Sequence, residues 1–151
     1  MVVKGGVFPG GGTELPGDIS SQYVTALLLT APLAREGATI KLTTPLESRS
    51  YVLMSLECLN QFGIKVDCGD ELMKYEIAPQ KFQPADYKVE GDWSSVSYLL
   101  GLGAVAGVSQ VSGLNPLSRQ GDKVIVDLLR RMGAIIEFPQ GILTVTQAKL
   151  K

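Results

Sequence analysis

Hydrophobic and polar positions alternate along this chain in two similar successions. Val52, Leu56, Leu59 and Phe62 recur at helical spacing, with Glu57, Asn60 and Gln61 off the stripe. Ile125, Leu128, Leu129 and Met132 repeat that stripe against Lys123, Asp127, Arg130 and Arg131. The spacing predicts two half-exposed helices, and Gly63 and Gly133 stand where a left-handed residue ends such a helix. Two other stretches, residues 23–34 and 98–108, are apolar nearly all round. A helix without a polar face is expected to be covered on all sides, at the centre of a domain. Alternation and β-branched residues predict strands at residues 39–43, 64–68, 110–113, 135–138 and 142–145, with a further strand around Tyr75 and Ile77. Residues 13–16 and 87–90 read as short extended leads into the sequence Gly-Asp.

The two successions are one unit repeated. Gly17-Asp18-Ile19-Ser20-Ser21 returns as Gly91-Asp92-Trp93-Ser94-Ser95, 74 residues later, and Phe62-Gly63-Ile64 returns as Met132-Gly133-Ala134, 70 residues later. The small difference in offset falls in loops, where length changes cost little. Each unit reads β-α-β-α-β-β, and the expected class is α+β, with buried helices inside and mixed sheets outside. Asp18 or Ser20 can cap the first helix of one unit, and Asp92 or Ser94 that of the other.

Composition narrows the chemistry. The chain has 151 residues, 45% of them hydrophobic, and a formal net charge of −1. That balance gives no attraction to a nucleic-acid backbone or an anionic membrane. There is no histidine, so Ser–His and Cys–His nucleophiles and His-ligated metals are excluded within this span. Two cysteines, Cys58 and Cys68, make no disulfide framework and fit a reducing compartment; both read as inert core or edge residues. Residues 1–6 carry no signal-peptide run, and the longest apolar stretch, residues 98–108, is shorter than the about 20 residues a membrane span needs. A cytoplasmic chain is expected. Gly10-Gly11-Gly12 is followed by no Gly-Lys-Ser/Thr and makes no P-loop.

The repeated unit resembles that of the enolpyruvyl transferases. Within them, the string Gly17-Asp18-Ile19-Ser20-Ser21-Gln22-Tyr23-Val24-Thr25-Ala26-Leu27-Leu28 is similar to a substrate-site signature of the 5-enolpyruvylshikimate-3-phosphate synthase family. Leu46-Glu47-Ser48-Arg49-Ser50-Tyr51, residues 89–98 and Gln120-Gly121-Asp122 also match, in order. Ser50 departs from the family's proline at that place and removes a fixed φ.

The resemblance implies an enolpyruvyl transfer. The enolpyruvyl group of phosphoenolpyruvate passes to the 5-hydroxyl of shikimate 3-phosphate by addition and elimination, with release of phosphate, in the shikimate pathway of aromatic amino acid and chorismate synthesis. No metal or organic cofactor is implied. By the same resemblance Ser20, Ser21, Gln22, Ser48 and Tyr51 bind shikimate 3-phosphate, and Gln22 also reaches phosphoenolpyruvate. The start of a buried helix supports this, because free N–H groups and the dipole favour an anion there. For the serines helix capping remains open, and for Tyr51 a place in the core. In the second unit Val96 replaces the glutamine, so Ser94 reads as a cap and Trp93 as packing. Arg49 and Arg119 each precede a second helix, as anion contacts or as solvated loop charges.

Family members are about three times as long as this chain, with six units of roughly 70 residues. Residues 1–90 would then be the last unit of the first domain and residues 91–151 the first unit of the second. The proton-shuttle carboxylates of the family have no counterpart in this span, and no catalytic residue is assigned. The span is expected to be a fragment that is inactive alone, with the enzyme's missing units as its natural partners and with a tendency to self-associate. Two other readings stay open: a fragment of the UDP-N-acetylglucosamine enolpyruvyl transferase, against which Ser20-Ser21-Gln22 tells, and a non-catalytic binding module.

Overall fold

The structure is a computed structural model and describes residue 2 and residues 4–150. Of the stretch 1–6 read for a signal peptide, Met1 and Val3 lie outside the described residues. The chain divides into two compact units, Met1–Tyr87 and Lys88–Lys151.

In the first unit β1 (Gly11–Leu15) leads through α1 (Ser21–Thr30) and a 3-10 turn (Ala31–Leu33) to β2 (Ala38–Leu42). Then come α2 (Arg49–Gln61), β3 (Asp67–Cys68) and β4 (Lys74–Ile77). The sheet runs β1-β2-β4-β3. β1 and β2 are parallel, Leu15 beside Leu42, and the other pairs are antiparallel, Ile40 and then Cys68 beside Tyr75. Ile40, Leu42, Tyr75 and Ile77 point inward while Lys41, Lys74 and Glu76 stay in solvent, so the period-2 alternation sets the buried face. That face meets Val24 and Leu28 of α1 and Val52 and Leu59 of α2. The α-helical part of α1 ends sooner than its apolar run, because Pro32 has no N–H to continue the ladder.

The second unit holds α3 (Trp93–Ala106), β5 (Val108–Ser112), a 3-10 turn (Gly121–Val124) running into α4 (Ile125–Arg131), β6 (Ile135–Glu137) and β7 (Ile142–Thr146). Its sheet is β5-β7-β6, antiparallel throughout. Trp93, Val96, Leu100, Leu129, Ile136, Leu143 and Val145 form its core. The Pro139-Gln140-Gly141 turn joins β6 to β7.

Both second helices end in the same way. Gly63 N–H donates to Asn60 and Ile64 N–H to Leu59; Gly133 N–H donates to Arg130 and Ala134 N–H to Leu129. Gly63 has φ 78° and Gly133 φ 102°. This is the Schellman arrangement, with the residue after the glycine packed in the core beside the helix's own leucine.

Three expectations need correction. Residues 87–90, read as the first strand of the second unit, form no strand: Val89 is 79% exposed, and the backbone bond just after them is Gly91 N–H to the Gly113 carbonyl at 2.9 Å. Alternation marks an apolar face but supplies no partner edge, and here Glu90 turns instead to side chains of its own unit. The second unit is thus α-β-α-β-β among the described residues. The strand expected over 64–68 pairs only through Asp67 and Cys68, because Ile64 is consumed by the cap of α2. Finally, α1 and α3 are covered on one face only within their units: Tyr98 is 80% exposed, Leu102 60% and Tyr23 58%. No helix of the described residues is long and apolar enough to cross a membrane.

Candidate functional site

The loops that lead into α1 and α2 are laced together. Thr44 Oγ1 accepts from Gly17 N–H at 2.9 Å and from Asp18 N–H at 3.3 Å, and donates to Asp18 Oδ1 at 2.8 Å. Glu47 N–H closes on the Gly17 carbonyl at 3.0 Å. Gly17 must be glycine for this approach, since a Cβ there would stand 2.6 Å from the Thr44 carbonyl oxygen. The lacing sets the start of α1 beside the start of α2.

A groove of about 790 Å³ opens between these helix starts. Ser20, Ser21, Gln22, Ser48 and Tyr51, the five residues singled out in the sequence, all line it. Thr25, Leu29, Met54, Ser55 and Tyr87 are among the residues of its floor and walls, and among the described residues no charged side chain lines it. Ser20 is the N-cap of α1, in extended conformation, its Oγ accepting from Gln22 N–H at 3.2 Å. Capping is therefore one role of Ser20, and its hydroxyl proton remains to be donated. Ser21 is buried and Gln22 exposed.

Ser48 is different. It occupies the N-cap position of α2 in the left-handed region, φ 53° and ψ 40°, and its side chain makes no capping bond. For an L-residue that backbone costs roughly 1–2 kcal/mol, without the compensation a cap provides. Tyr51 is half in solvent rather than in the core.

Two hydroxyl residues of the groove, Thr25 and Ser55, were given no role from the sequence. Thr25 Oγ1 and Ser55 Oγ are 2.9 Å apart, and Ser55 Oγ donates to the Tyr51 carbonyl at 2.9 Å. Helical spacing was the available signal: Thr25 lies four residues after Ser21, and Ser55 four after Tyr51, on the same faces. Arg49 is a strut: its guanidinium donates to the Asp70 carbonyl. Cys58 lines the groove. Cys68 does not; burial, then Asp67 and Asp70, push its thiol pKa up.

The repeated unit gives an internal comparison. In the second unit the Asp92 carboxylate accepts from Ser94 N–H at 3.0 Å and Ser95 N–H at 3.1 Å, and from the Ser95 hydroxyl. The Ser95 hydroxyl, then these N–H groups, hold its carboxyl below the ordinary range. Asp92, not Ser94, is thus the cap of α3, and Trp93 is packing, buried with its backbone N–H on Gln120 Oε1 at 2.8 Å. The start of α3 already holds an anion. In the first unit the equivalent Asp18 is drawn away by Thr44, and the start of α1 faces the groove with no carboxylate on it. Gln120 also donates to Glu90 Oε1 at 2.9 Å and to the Gly91 carbonyl at 3.0 Å, beside the Ser118 hydroxyl, which donates to Glu90 as well. Burial alone would raise the Glu90 pKa; bonds from Ser118, Gln120 and Asn115, with the Lys123 charge, outweigh it and hold the carboxyl below its usual range.

Comparison with known proteins agrees across sequence and fold. The family described as EPSP synthase (3-phosphoshikimate 1-carboxyvinyltransferase) matches residues 1–151. A 3-phosphoshikimate 1-carboxyvinyltransferase of Dehalococcoides mccartyi is 42% identical over 149 residues, which cover 99% of this chain and 36% of that protein. The protein of that name from Methanocaldococcus jannaschii is 41% identical, covering 91% of this chain and 32% of its own length. An EPSP synthase structure from Acinetobacter baumannii shares the fold, with a TM-score of 0.56 at 18% identity, covering 93% of this chain and 32% of that one. The chain therefore spans about a third of the length of the relatives it matches. On these matches the chain belongs to the EPSP synthase (3-phosphoshikimate 1-carboxyvinyltransferase) family.

Proposed function

We propose that the groove of the first unit holds shikimate 3-phosphate, as part of an enzyme that transfers the enolpyruvyl group of phosphoenolpyruvate to the 5-hydroxyl of that substrate. The observation that carries this reading is the contrast between the two helix starts: Asp92 fills one, while Thr44 removes Asp18 from the other. An anion arriving at α1 meets the positive end of the helix dipole with no resident carboxylate to displace. Ser20, Ser21 and Ser48 donate hydroxyl protons to the phosphate. Tyr51 closes the pocket, and Gln22 reaches from the ring to phosphoenolpyruvate. With no charged side chain lining the groove, this part of the site supplies position and hydrogen bonds rather than proton transfer.

Residues 1–90 complete the first domain of that enzyme and residues 91–151 begin the second, with cytoplasmic location following from the biosynthetic role. The chain alone performs no turnover, because the groups that move protons on the methylene carbon are not among the groove residues. It self-associates through the uncovered apolar faces of α1 and α3. Nuclear magnetic resonance titration of the labelled chain with shikimate 3-phosphate should move the amide signals of residues 20–22 and 48–51, and Ser21→Ala and Gln22→Ala should abolish the response. Shifts confined to other residues, or none at all, would remove the reading. Phosphate release from the two substrates by the purified chain would overturn its incompleteness.

A further inference from the structure

The hydroxyl pair on the groove floor has a fixed direction. Ser55 Oγ lies 2.9 Å from the Tyr51 carbonyl, which only accepts, so the single Ser55 proton is committed there. Thr25 Oγ1 lies 2.9 Å from the same Ser55 Oγ. Both contacts are hydrogen bonds only when Thr25 is the donor to Ser55. The relay then runs Thr25 to Ser55 to the Tyr51 carbonyl, and the Thr25 proton is committed within it rather than left for a ligand. What Thr25 presents to the groove is a lone pair.

We infer that Thr25 is a specificity residue that accepts a hydrogen bond from a hydroxyl of the bound molecule. This rests on the reading of the groove as a substrate site and adds to it a polarity along the floor. At the helix start the groups are donors, Ser20, Ser21 and Gln22. One turn on, about 6 Å along the axis, Thr25 is an acceptor, and beyond it Ala26 and Leu29 are apolar. The molecule that matches this order carries an anionic group at one end, a hydroxyl donor one helical turn away, and an uncharged ring face beside it. A second anionic group at the Thr25 position is rejected, because lone pairs would face lone pairs and the Thr25 proton cannot turn without breaking the relay.

The test compares two probes, shikimate 3-phosphate and inorganic phosphate, on the full chain by calorimetric or resonance titration. Thr25→Val keeps the branched shape and a similar helix propensity while removing the lone pair. It should weaken shikimate 3-phosphate roughly 3- to 10-fold, the worth of one neutral hydrogen bond, and leave inorganic phosphate unchanged. Thr25→Ser keeps the oxygen and should bind within about twofold of the parent, with near-ultraviolet circular dichroism confirming the fold of both. Equal binding of shikimate 3-phosphate by the parent and Thr25→Val overturns the role of Thr25 alone. A loss of both probes together also overturns it, since the substitution then acts by moving α1. If the parent binds inorganic phosphate but not shikimate 3-phosphate, the substrate reading itself falls.

Discussion

Replacing Ser48 by glycine should make the chain more stable and the groove weaker, two effects that ordinarily move together. Ser48 sits at φ 53° and ψ 40° with no capping bond. Relief of the left-handed backbone contributes roughly 1–2 kcal/mol in favour of the variant. The larger conformational freedom of glycine in the unfolded chain takes back roughly 0.5–1 kcal/mol. The net expectation is a gain between roughly zero and 1.5 kcal/mol, read as a higher urea midpoint by circular dichroism. The lost hydroxyl works on binding instead. A hydrogen bond to a charged phosphate is worth roughly 1.5–3 kcal/mol, so shikimate 3-phosphate should bind roughly 10- to 150-fold more weakly. Ser48→Ala separates the two effects: it keeps the strained backbone and should lose affinity without gaining stability. A Ser48→Gly chain less stable than the parent by about 1 kcal/mol or more would instead make the hydroxyl a structural group. Binding by both variants equal to that of the parent would remove Ser48 from the phosphate site.

Two further outcomes follow from the same unit. Gly17→Ala should cost about 1–3 kcal/mol by overpacking, because its Cβ would stand 2.6 Å from a backbone oxygen, whereas Gly12→Ala, with open space around it, should be neutral or slightly stabilising in the same urea titration; equal midpoints for the two would refute the lacing argument. Tyr75 is fully buried, its hydroxyl has no hydrogen-bond partner among the described residues, and its pKa is pushed up to about 12, by burial first and then by Cys68, against a smaller opposite pull from Arg49. A phenol whose folded pKa is raised stabilises the fold below its unfolded value near 10 and loses that contribution as pH rises through about 12. Tyrosinate absorbance should therefore show a late step, absent in Tyr75→Phe, and that variant should be no less stable at neutral pH; a marked loss would mean the hydroxyl has a partner.

Much of this architecture was legible from periodicity because apolar stripes report burial directly. Val52, Leu59, Leu129 and the cap glycines Gly63 and Gly133 occupy the places their spacing assigned. What periodicity does not carry is pairing. Tyr87-Lys88-Val89-Glu90 alternates like a strand, yet Glu90 is spent on Ser118 and Gln120, long-range partners that no local window contains. The five groove residues were legible as strings and converge on one groove, but their geometry was not. Nothing in Ser48 announces a left-handed backbone, which glycine would have signalled. Thr25 and Ser55 look like neutral fillers of helix interiors until helical spacing places them below Ser21 and Tyr51. The different fates of Asp18 and Asp92 were also invisible, since the sequence around them is nearly the same and the partner that holds Asp18, Thr44, lies 26 residues away.

The matching ends of α2 and α4 bear on how such a chain arose. When a gene segment is doubled, the copies drift fastest where drift is harmless, and here side-chain identity has diverged while the stop signal has not: glycine, then a buried aliphatic, with the same pair of amide bonds. That punctuation fixes where the chain leaves each helix and at what angle it departs. A hybrid joined at Gly63 and Gly133 would therefore exchange the hairpins of the two copies without disturbing the helices before them, because both copies make the same N–H to carbonyl bonds at that point.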